Sequence, residues 1–175
     1  ARLRGLLGPT AQILKRDRFA LAGVIIYAIM IVVAIFAPVL APHDPHAVME
    51  KDGIWLTNQK PSWQFPLGTT NIGRDIFSQL IYGTRPALFV GFTAAFFVAC
   101  IGTIVGLVSG YFGGWVDTLL MRLTDIAFGI PFLPFVIVLV AFLEPSIWNV
   151  VLAMALLLWR DTARVIRSQV LTVRE

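Results

Sequence analysis

Four uncharged apolar runs constrain this chain more than any other feature of its sequence. They cover residues 19–42, 86–116, 126–143 and 145–159. About 20 mostly apolar residues cross a bilayer core as one helix, and the first three runs approach or exceed that length. Only 14% of the residues are charged and the mean hydropathy is +0.81, values outside the range of water-soluble domains. The sequence therefore predicts an integral membrane protein, all α-helical within the bilayer.

The first run follows a basic segment and is long enough to stay in the membrane. Residues 1–18 contain five Lys or Arg residues and are predicted to be a cytoplasmic N-terminal segment. A cleaved signal peptide would have a shorter apolar region, soon followed by a small-residue cleavage site. Transmembrane helix 1 is therefore predicted over residues 19–41.

The second run predicts transmembrane helix 2 over residues 86–110. Gly102, Gly106 and Gly110 recur every four residues within it and so share one helix face. Missing side chains on such a face allow another helix to approach closely. Glycine is also simply tolerated in membrane helices, but we favour a helix-packing face.

The third run contains Pro131 and Pro134, each of which removes a backbone hydrogen-bond donor. Residues 111–143 are therefore predicted to form a cytoplasmic turn and a kinked transmembrane helix 3. The fourth run is too short to span alone. Transmembrane helix 4 is predicted over residues 146–168, with the arginines after Trp159 reaching toward the headgroups.

The distribution of Lys and Arg predicts the orientation of these helices. If the N-terminus is cytoplasmic, the inner segments hold 10 of the 14 basic residues, in line with the excess of such residues in cytoplasmic loops. Residues 42–85 then form an external loop. The net charge of +4 suits a protein anchored at an anionic membrane face.

The external loop ends in the polar stretch "LGTTNIGRDIFSQL", residues 67–80. Its small residues favour a turn, and a short amphipathic surface helix is predicted over about 74–83. Apolar side chains would share one face of this helix, and the outward side chains would be Arg74, Asp75, Ser78 and Gln79. The chain would then turn at residues 83–86 into transmembrane helix 2.

Two histidines lie near the beginning of the same loop. His43 and His46, with Asp44 between them, could resemble a metal site. No further ligand accompanies them, and a proline separates them, so an ordinary loop is the better interpretation. No metal site is predicted in this chain.

Charged residues cluster at the cytoplasmic ends of the last two spans. Arg122 lies three residues before Asp125 on a helix and could pair with it, and Asp117 lies nearby. Spacings of i, i+4 and i+7 place three arginines on one stripe: Arg160, Arg164 and Arg167. Each group is either an anchor at the membrane surface or a functional element, the arginines then leading into a cytoplasmic docking segment.

The sequence contains no catalytic motif. A phosphate-binding G-x-x-x-x-G-K-[ST] loop, G-x-S-x-G, H-E-x-x-H and a cysteine cluster are all missing. The single cysteine, Cys100, excludes an intrachain disulfide. Basic patches interleaved with aromatic residues, which nucleic-acid binding needs, are also missing. The chain is therefore predicted not to be an enzyme.

Three ordered motifs resemble one family of transport proteins. They are "LGTTNIGRDIFSQLIYGTRPALFVGF", "GLVSGYFGGWVDTLLMRLTDIAFGIPFL" and "LLLWRDTARVIRSQVLTVRE". The segments resemble inner-membrane permease subunits of ATP-binding-cassette importers for dipeptides, oligopeptides and nickel, and more narrowly the C-type permease of the Dpp/Opp pair. The stretch from Lys15 to Pro45 also fits the leading helix of that subunit, so the resemblance covers nearly the whole chain.

The resemblance implies a type I importer permease fold with six transmembrane helices, of which residues 1–175 would hold four. Residues 169–175 would begin a cytoplasmic coupling region, whose EAA-type motif and two further helices would follow Glu175, so the chain is expected to be a fragment. The implied partners are a second permease subunit, two cytoplasmic ATPase subunits and an external substrate-binding protein. ATP and magnesium would be bound by the ATPases, and this chain would carry no cofactor.

Site residues also follow from this resemblance. The polar stretch would lie at the external mouth of the transport path, with five candidate entrance residues: Gly68, Thr69, Gly73, Arg74 and Asp75. The cytoplasmic-side candidates are Asp117, Arg122, Asp125, Arg160, Arg164 and Arg167. The expected function is import of dipeptides or oligopeptides by alternating access at a prokaryotic inner membrane.

Three other functions are compatible with parts of the sequence. A permease for nickel or another small solute would share the same motifs. An oligomeric channel or scaffold would need polar residues along a helix face, whereas the runs offer mainly Gly, Ala, Ser and Thr. A secondary transporter fragment would need charged or broken-helix sites at the midplane, where only the Pro131 and Pro134 break qualifies.

Overall fold

The structure, a computed structural model, describes residues 17–174. Apart from Asp17 and Arg18, the predicted cytoplasmic segment 1–18 lies outside the described residues. The chain divides into two compact units, one up to Ala87 and one from Leu88 onward. The helices are α1 (Arg18–Ile35), α2 (Ala37–Leu40), α3 (Ile76–Phe112), α4 (Gly114–Gly129), α5 (Phe132–Phe142) and α6 (Ile147–Arg174), and the strands are β1 (Glu50–Lys51) and β2 (Ile54–Trp55).

Helix α1 has defined polar partners at both ends. Asp17 accepts hydrogen bonds from the backbone N–H groups of Phe19 at 2.9 Å and Ala20 at 3.3 Å, which caps the first turn. At the other end Arg85 donates from Nε to the carbonyl of Ala34 at 2.7 Å and from Nη2 to that of Ile35 at 3.3 Å. Arg85 thereby satisfies carbonyl groups that a helix end leaves without a partner.

The predicted first span over 19–41 is broken rather than continuous. Phe36 separates α1 from α2, and Pro38 lies in the first turn of α2. Proline is tolerated in a first turn, where its missing N–H costs nothing, but not in the interior of a helix. The break therefore comes just before the proline.

A small hairpin stands in the loop that follows. Strands β1 and β2 pair antiparallel, Glu50 opposite Trp55. The two residues between the strands, Asp52 and Gly53, have φ values of 54° and 78°. Positive φ at both central residues is the requirement of a tight type I′ turn, for which Asp-Gly is a preferred pair.

Helix α3 corrects the predicted surface helix over 74–83 and the turn at residues 83–86. A single helix runs from Ile76 to Phe112 with Pro86 inside it, about 55 Å in length. Proline in a membrane helix costs one backbone hydrogen bond, and neighbouring polar groups can compensate for it. The carbonyl that loses its helical donor at Pro86 is that of Tyr82, and in the same turn the Thr84 hydroxyl donates to the carbonyl of Ile81 at 2.6 Å.

The third predicted span consists of two helices. Helices α4 and α5 are separated at Ile130 and Pro131, and their axes are bent by 81°. The missing donor of Pro131 places the interruption where the sequence predicts a kink. Helices α1 and α3 are long and apolar enough to cross a membrane, and α4 with α5 make a third span if the bent pair counts as one.

Helix α6 is the central helix of the second unit and runs parallel to α3. Trp148 contacts Phe89 edge to face with ring centroids 5.4 Å apart, and Thr162 and Val170 lie against Gly102 and Gly110 in turn. Parallel neighbours require the chain to return between them, which α4 and α5 accomplish. Arg160, Asp161 and Arg164 interrupt the apolar part of α6. The helix nevertheless lies beside α3, which is long and apolar enough to cross a membrane.

Small residues dominate the core of the second unit. The fully or nearly buried side chains on α6 include Ala153, Ala155 and Ala163, and Ala94 and Ala127 lie on its neighbours. Small side chains permit close helix contacts in membranes, where dispersion and hydrogen bonding replace the hydrophobic effect. Large apolar side chains point outward instead; Phe19 of the first unit, for example, is 91% exposed.

Candidate functional sites

The first candidate site is a buried cluster in the first unit, formed by His43, Asp75 and Ser78 and called here the Asp75 cluster. Asp75 and Ser78 are both fully buried. The Ser78 hydroxyl donates to Asp75 Oδ2 at 2.6 Å, and His43 Nδ1 lies 3.0 Å from the same oxygen. The backbone N–H of His43 in turn donates to Ser78 Oγ at 3.1 Å. The cluster thereby ties the beginning of the loop to the beginning of α3.

Asp75 is also the N-cap of α3. Its Oδ1 accepts from the backbone N–H of Phe77 at 3.1 Å and its Oδ2 from that of Ser78 at 3.4 Å. Burial, the largest single influence, raises the pKa of Asp75, but the hydrogen bonds from Ser78, His43 and the two backbone groups together lower the pKa below its ordinary value. The carboxylate is therefore held ionised inside the loop.

This burial corrects the expected orientation of the polar stretch. Asp75 and Ser78 do not face outward, whereas Leu80 is 62% exposed. The amphipathic pattern is misleading here because Asp75 accepts from free N–H groups of the helix end, and the Ser78 hydroxyl donates to Asp75 and accepts from the backbone N–H of His43. Sequence reasoning treated His43 as an ordinary loop residue and missed its contact with Asp75, which is 32 residues away.

The turn before Asp75 is fixed by threonine side chains. Thr69 is 4% exposed; its hydroxyl donates to the carbonyl of Leu56 and accepts from the backbone N–H of Gln59. Thr70 Oγ1 accepts from the backbone N–H of Arg74 at 3.0 Å. Gly68 and Gly73 have φ values of 78° and 75°, so other residues would be strained at both positions. The five predicted entrance residues thus belong to one rigid, internally hydrogen-bonded segment.

The second candidate site joins α6 to α4 through the three arginines. Arg160 donates to the carbonyl of Ala127, and Arg164 Nη2 lies 2.5 Å from Asp125 Oδ1. The guanidinium groups of Arg160 and Arg164 lie 4.5 Å and 4.0 Å from the centre of the Phe128 ring, a cation–π arrangement. The basic stripe predicted on α6 therefore binds α4.

The partner of Asp125 differs from the one that the spacing favours. The sequence predicts a pair between Arg122 and Asp125, but among residues 17–174 Asp125 pairs with Arg164, and Arg122 is exposed. A helix neighbour three residues away is worth only about 0.2–0.5 kcal/mol. The contact between helices wins because Arg164 also stacks on Phe128.

Arg167 forms the most extensive contact, called here the Asp117 clasp and consisting of Ser109, Asp117 and Arg167. Arg167 Nε donates to Asp117 Oδ1 at 2.5 Å, and its Nη2 donates to Asp117 Oδ2. The Ser109 hydroxyl also donates to Asp117 Oδ1. Bidentate pairs between arginine and carboxylate are among the strongest charge-assisted hydrogen bonds. The clasp connects three helices, α3, α4 and α6.

The glycine face of α3 lies against α6 beside this clasp. A Cβ atom placed on Gly102 would lie 2.5 Å from Thr162 Cβ, one on Gly106 would lie 2.6 Å from the carbonyl oxygen of Ala163, and one on Gly110 would lie 2.8 Å from Val170 Cβ. Each distance is shorter than van der Waals contact. The helices can approach this closely only without side chains at these positions.

Within residues 17–174, no three His, Cys, Asp or Glu side chains converge as ligands for a metal ion. His46 and Asp44 form instead a local turn in which Asp44 Oδ1 accepts from the backbone N–H of His46 at 2.7 Å. Both candidate sites are therefore made of hydrogen bonds, ion pairs and close helix contacts.

Two family models match the chain. Residues 8–61 match the N-terminal transmembrane domain of oligopeptide transport permease C. Residues 102–175 match the binding-protein-dependent transport system inner membrane component. The first match includes α1 and the hairpin, and the second includes the glycine face, the Asp117 clasp and the arginines.

Curated relatives align over most of the chain. It is 40% identical over 158 residues to the dipeptide transport system permease protein DppC of Haemophilus influenzae, covering 88% of this chain and 53% of that protein. The corresponding protein of Bacillus subtilis is 35% identical, with 92% and 49% covered. The glutathione transport system permease protein GsiD of Escherichia coli is 37% identical, with 92% and 52% covered.

The chain thus spans about half the length of the curated relatives that it matches. The family matches include His43 of the Asp75 cluster and every residue of the second candidate site, whereas Asp75 and Ser78 lie between the two matched ranges. Together with the apolar helices, the matches assign the chain to the inner membrane. The chain belongs to the family of C-type inner-membrane permeases of dipeptide and oligopeptide ATP-binding-cassette importers.

Proposed function

We propose that this chain is the membrane-spanning part of a permease in an ATP-driven importer that moves dipeptides or oligopeptides into the cell by alternating access. The observation that carries the proposal is the agreement of two family matches, at residues 8–61 and 102–175, with relatives described as dipeptide and oligopeptide permeases. The fold agrees with this role because the second unit is a set of closely packed helices.

ATP hydrolysis is assigned to partner subunits. The sequence lacks a phosphate-binding loop, so ATP and magnesium would be bound by two cytoplasmic ATPases, and this chain would carry no cofactor of its own. The remaining partners are a second permease subunit and an external substrate-binding protein. Exposed apolar side chains on the membrane helices, such as Ile26 and Phe96, would be covered by lipid and by the second permease.

The proposed orientation places the N-terminus in the cytoplasm. The bias of basic residues supports this orientation. The parallel course of α3 and α6 fits one return crossing between them, whichever side the N-terminus occupies. The loop with the Asp75 cluster would then lie outside, where its rigid turn shapes the entrance from Gly68 to Asp75. The turn at Gly113 and the C-terminal end of α6 would lie inside, facing the ATPases.

The transport cycle would depend on contacts that differ between the outward-facing and inward-facing states, rather than on general flexibility. ATP binding would close the ATPases, and the segment after α6 would carry that motion to the helices. The arginine contacts from α6 to α4 offer a physical route, since they join the last described helix to the helix that begins after the turn at Gly113. The break at Pro131 is a second place where the helices can change their relative angle.

The test is transport by the complete importer in proteoliposomes. The permease that contains this chain is reconstituted with its second permease, ATPases and binding protein, and ATP turnover and uptake are measured with a dipeptide, a pentapeptide, glutathione and Ni²⁺. Stimulation by either of the first two peptides is expected. Stimulation by glutathione alone would identify that tripeptide as the substrate, and stimulation by Ni²⁺ alone would favour the metal alternative. Stimulation by none of the four would refute the proposal.

A further inference from the structure

The turn between α3 and α4 has the geometry of a swivel. Gly113 is its only non-helical residue, with φ 65° and ψ −159°, and Gly114 follows with φ 55°. The conformation of Gly113 is open essentially to glycine alone. A Cβ on Gly114 would meet nothing within 4 Å, so neighbouring atoms do not confine that residue. Backbone geometry by itself therefore holds this turn weakly.

Side chains of the Asp117 clasp restrain the turn that the backbone holds weakly. The two backbone hydrogen bonds at the turn both end at Gly113, one from its N–H to the Ser109 carbonyl at 3.0 Å and one from the Asp117 N–H to its carbonyl at 3.2 Å. In addition, the Ser109 hydroxyl of α3 donates to the Asp117 carboxylate of α4, and this bond crosses the turn. Arg167 then attaches both to α6, where its backbone N lies 3.1 Å from a Cβ placed on Gly106.

The environment of the clasp sets it apart from the other ion pair between α4 and α6. The side chains of Arg167 and Asp117 are 32% and 19% exposed, and Ser109 is fully buried. In the pair of Arg164 with Asp125, the side chains are 49% and 53% exposed. Exposed pairs contribute little to stability, whereas breaking a partly buried pair leaves a charge without its partner. Only the clasp also reaches a third helix.

We propose that Ser109, Asp117 and Arg167 are positioning residues of import, which make the glycine turn and the C-terminal end of α6 move as one body. A displacement of α6 is then passed to α3 and α4 together, instead of being absorbed by rotation at Gly113. This inference rests on the proposed function, because it assigns these residues to the step that links ATP turnover to the transport path. Gly113 and Gly114 are then the joint that the clasp holds in place.

The test measures substrate taken up per ATP hydrolysed by the reconstituted importer, a ratio that does not depend on how much complex assembles. Asp117→Asn keeps the shape of the side chain but removes its charge, and we expect it to lower the ratio roughly fivefold or more, the size of a typical coupling between sites. The matched control is Asp161→Asn, because that side chain is 67% exposed and its pair with Arg160 is long, at 3.9 Å. We expect it to change the ratio by less than about twofold.

Two further variants keep the inference testable if Asp117→Asn assembles poorly. The exchange of Asp117→Arg with Arg167→Asp should recover part of the ratio, and Ser109→Ala should lower it while the ion pair remains. An unchanged ratio in Ser109→Ala and in whichever charged variants assemble would overturn the inference and leave the proposed function standing. A wild-type importer that moves none of the substrates would overturn both.

Discussion

At the scale of single residues, Asp75 explains why a polar stretch precedes a membrane helix. One fully buried carboxylate caps α3, binds His43 and accepts the Ser78 hydroxyl. These contacts leave Asp75 no polar surface for a partner. In the segment from Gly68 to Asp75 the exposed residues are Asn71 and Ile72, so any gate at this position would work through the shape of the turn.

Ionised Asp75 should make the stability of this loop fall in acid. Its pKa in the fold lies below the ordinary value of 3.8, so the carboxylate stabilises the fold above about pH 4, and the contribution is lost as the pH falls through the lowered pKa. In the assembled importer, hydrogen exchange at Phe77 and Ser78, corrected for intrinsic rates, should therefore accelerate below about pH 4.

Asp75→Asn is the matched control for this prediction. Asparagine is as good an N-cap as aspartate, so α3 should still begin at Ile76, but the substituted side chain cannot ionise. We expect the acid-dependent step at Phe77 and Ser78 to vanish and the segment around His43 to exchange faster at neutral pH. An equal acid dependence in wild type and variant would show that another group is responsible.

At the scale of elements, the pairing of α3 with α6 depends on missing side chains. At Gly106 an added methyl would lie 2.6 Å from a backbone oxygen, whereas at Gly91, on the same helix, it would meet nothing within 4 Å. A backbone oxygen cannot move aside as a flexible side chain can. The two glycines therefore form a matched pair that separates helix packing from helix propensity.

Gly106→Ala should destabilise the contact between α3 and α6 by about 1–3 kcal/mol, the usual cost of overpacking. Gly91→Ala should be neutral or stabilising by about 0.5–1 kcal/mol, because alanine is the better helix former. The melting temperatures of the purified complexes measure the difference. Equal melting temperatures for the two variants would contradict the close approach seen at Gly106.

Element types were largely predictable from the apolar runs and the prolines, since uncharged stretches must pair their backbone groups internally. The interruption at Pro131 and the helix beginning near residue 147 follow from the same argument. The hairpin was missed although "KDGIW" carries its signal, an Asp-Gly pair between two short extended segments. The turn predicted before Pro86 was wrong because a single missing donor does not end a long membrane helix.

Contacts between distant residues could not be predicted in the same way. His43 with Asp75, Arg164 with Asp125 and Arg167 with Asp117 are separated by 32 to 50 positions. Helix periodicity describes one helix at a time, so it can name a basic stripe but not the helix that receives it. For Asp125 it favoured the local neighbour Arg122, and the packing of α4 on α6 decided otherwise.

At the scale of the whole molecule, the orientation remains a prediction that labelling can test. Trp63 and Trp115 are 104% and 76% exposed and lie on the two turns proposed to face opposite sides of the membrane. In a Cys100→Ala background, Trp63→Cys should react with a membrane-impermeant maleimide in intact spheroplasts. Trp115→Cys should react only after the membrane is opened.

The two tryptophan variants control each other, because both replace an exposed indole by a thiol. Reaction of both from the same side would refute the crossing of the membrane by α3, which lies between the two positions. Reaction of Trp115→Cys alone in intact spheroplasts would reverse the orientation and place the Asp75 cluster in the cytoplasm. The first outcome would require another topology, whereas the second would leave the parallel course of α3 and α6 unchanged.

The contact of Arg85 with the end of α1 also sets an order of events during biosynthesis. Its guanidinium binds the carbonyls of Ala34 and Ile35, which leave the ribosome 51 and 50 residues earlier. At about 5–20 residues per second, these carbonyls wait roughly 3–10 s for their partner. Hydrocarbon offers them no donor, so the nascent α1 must rest with this end among hydrated headgroups until Arg85 emerges and replaces the water.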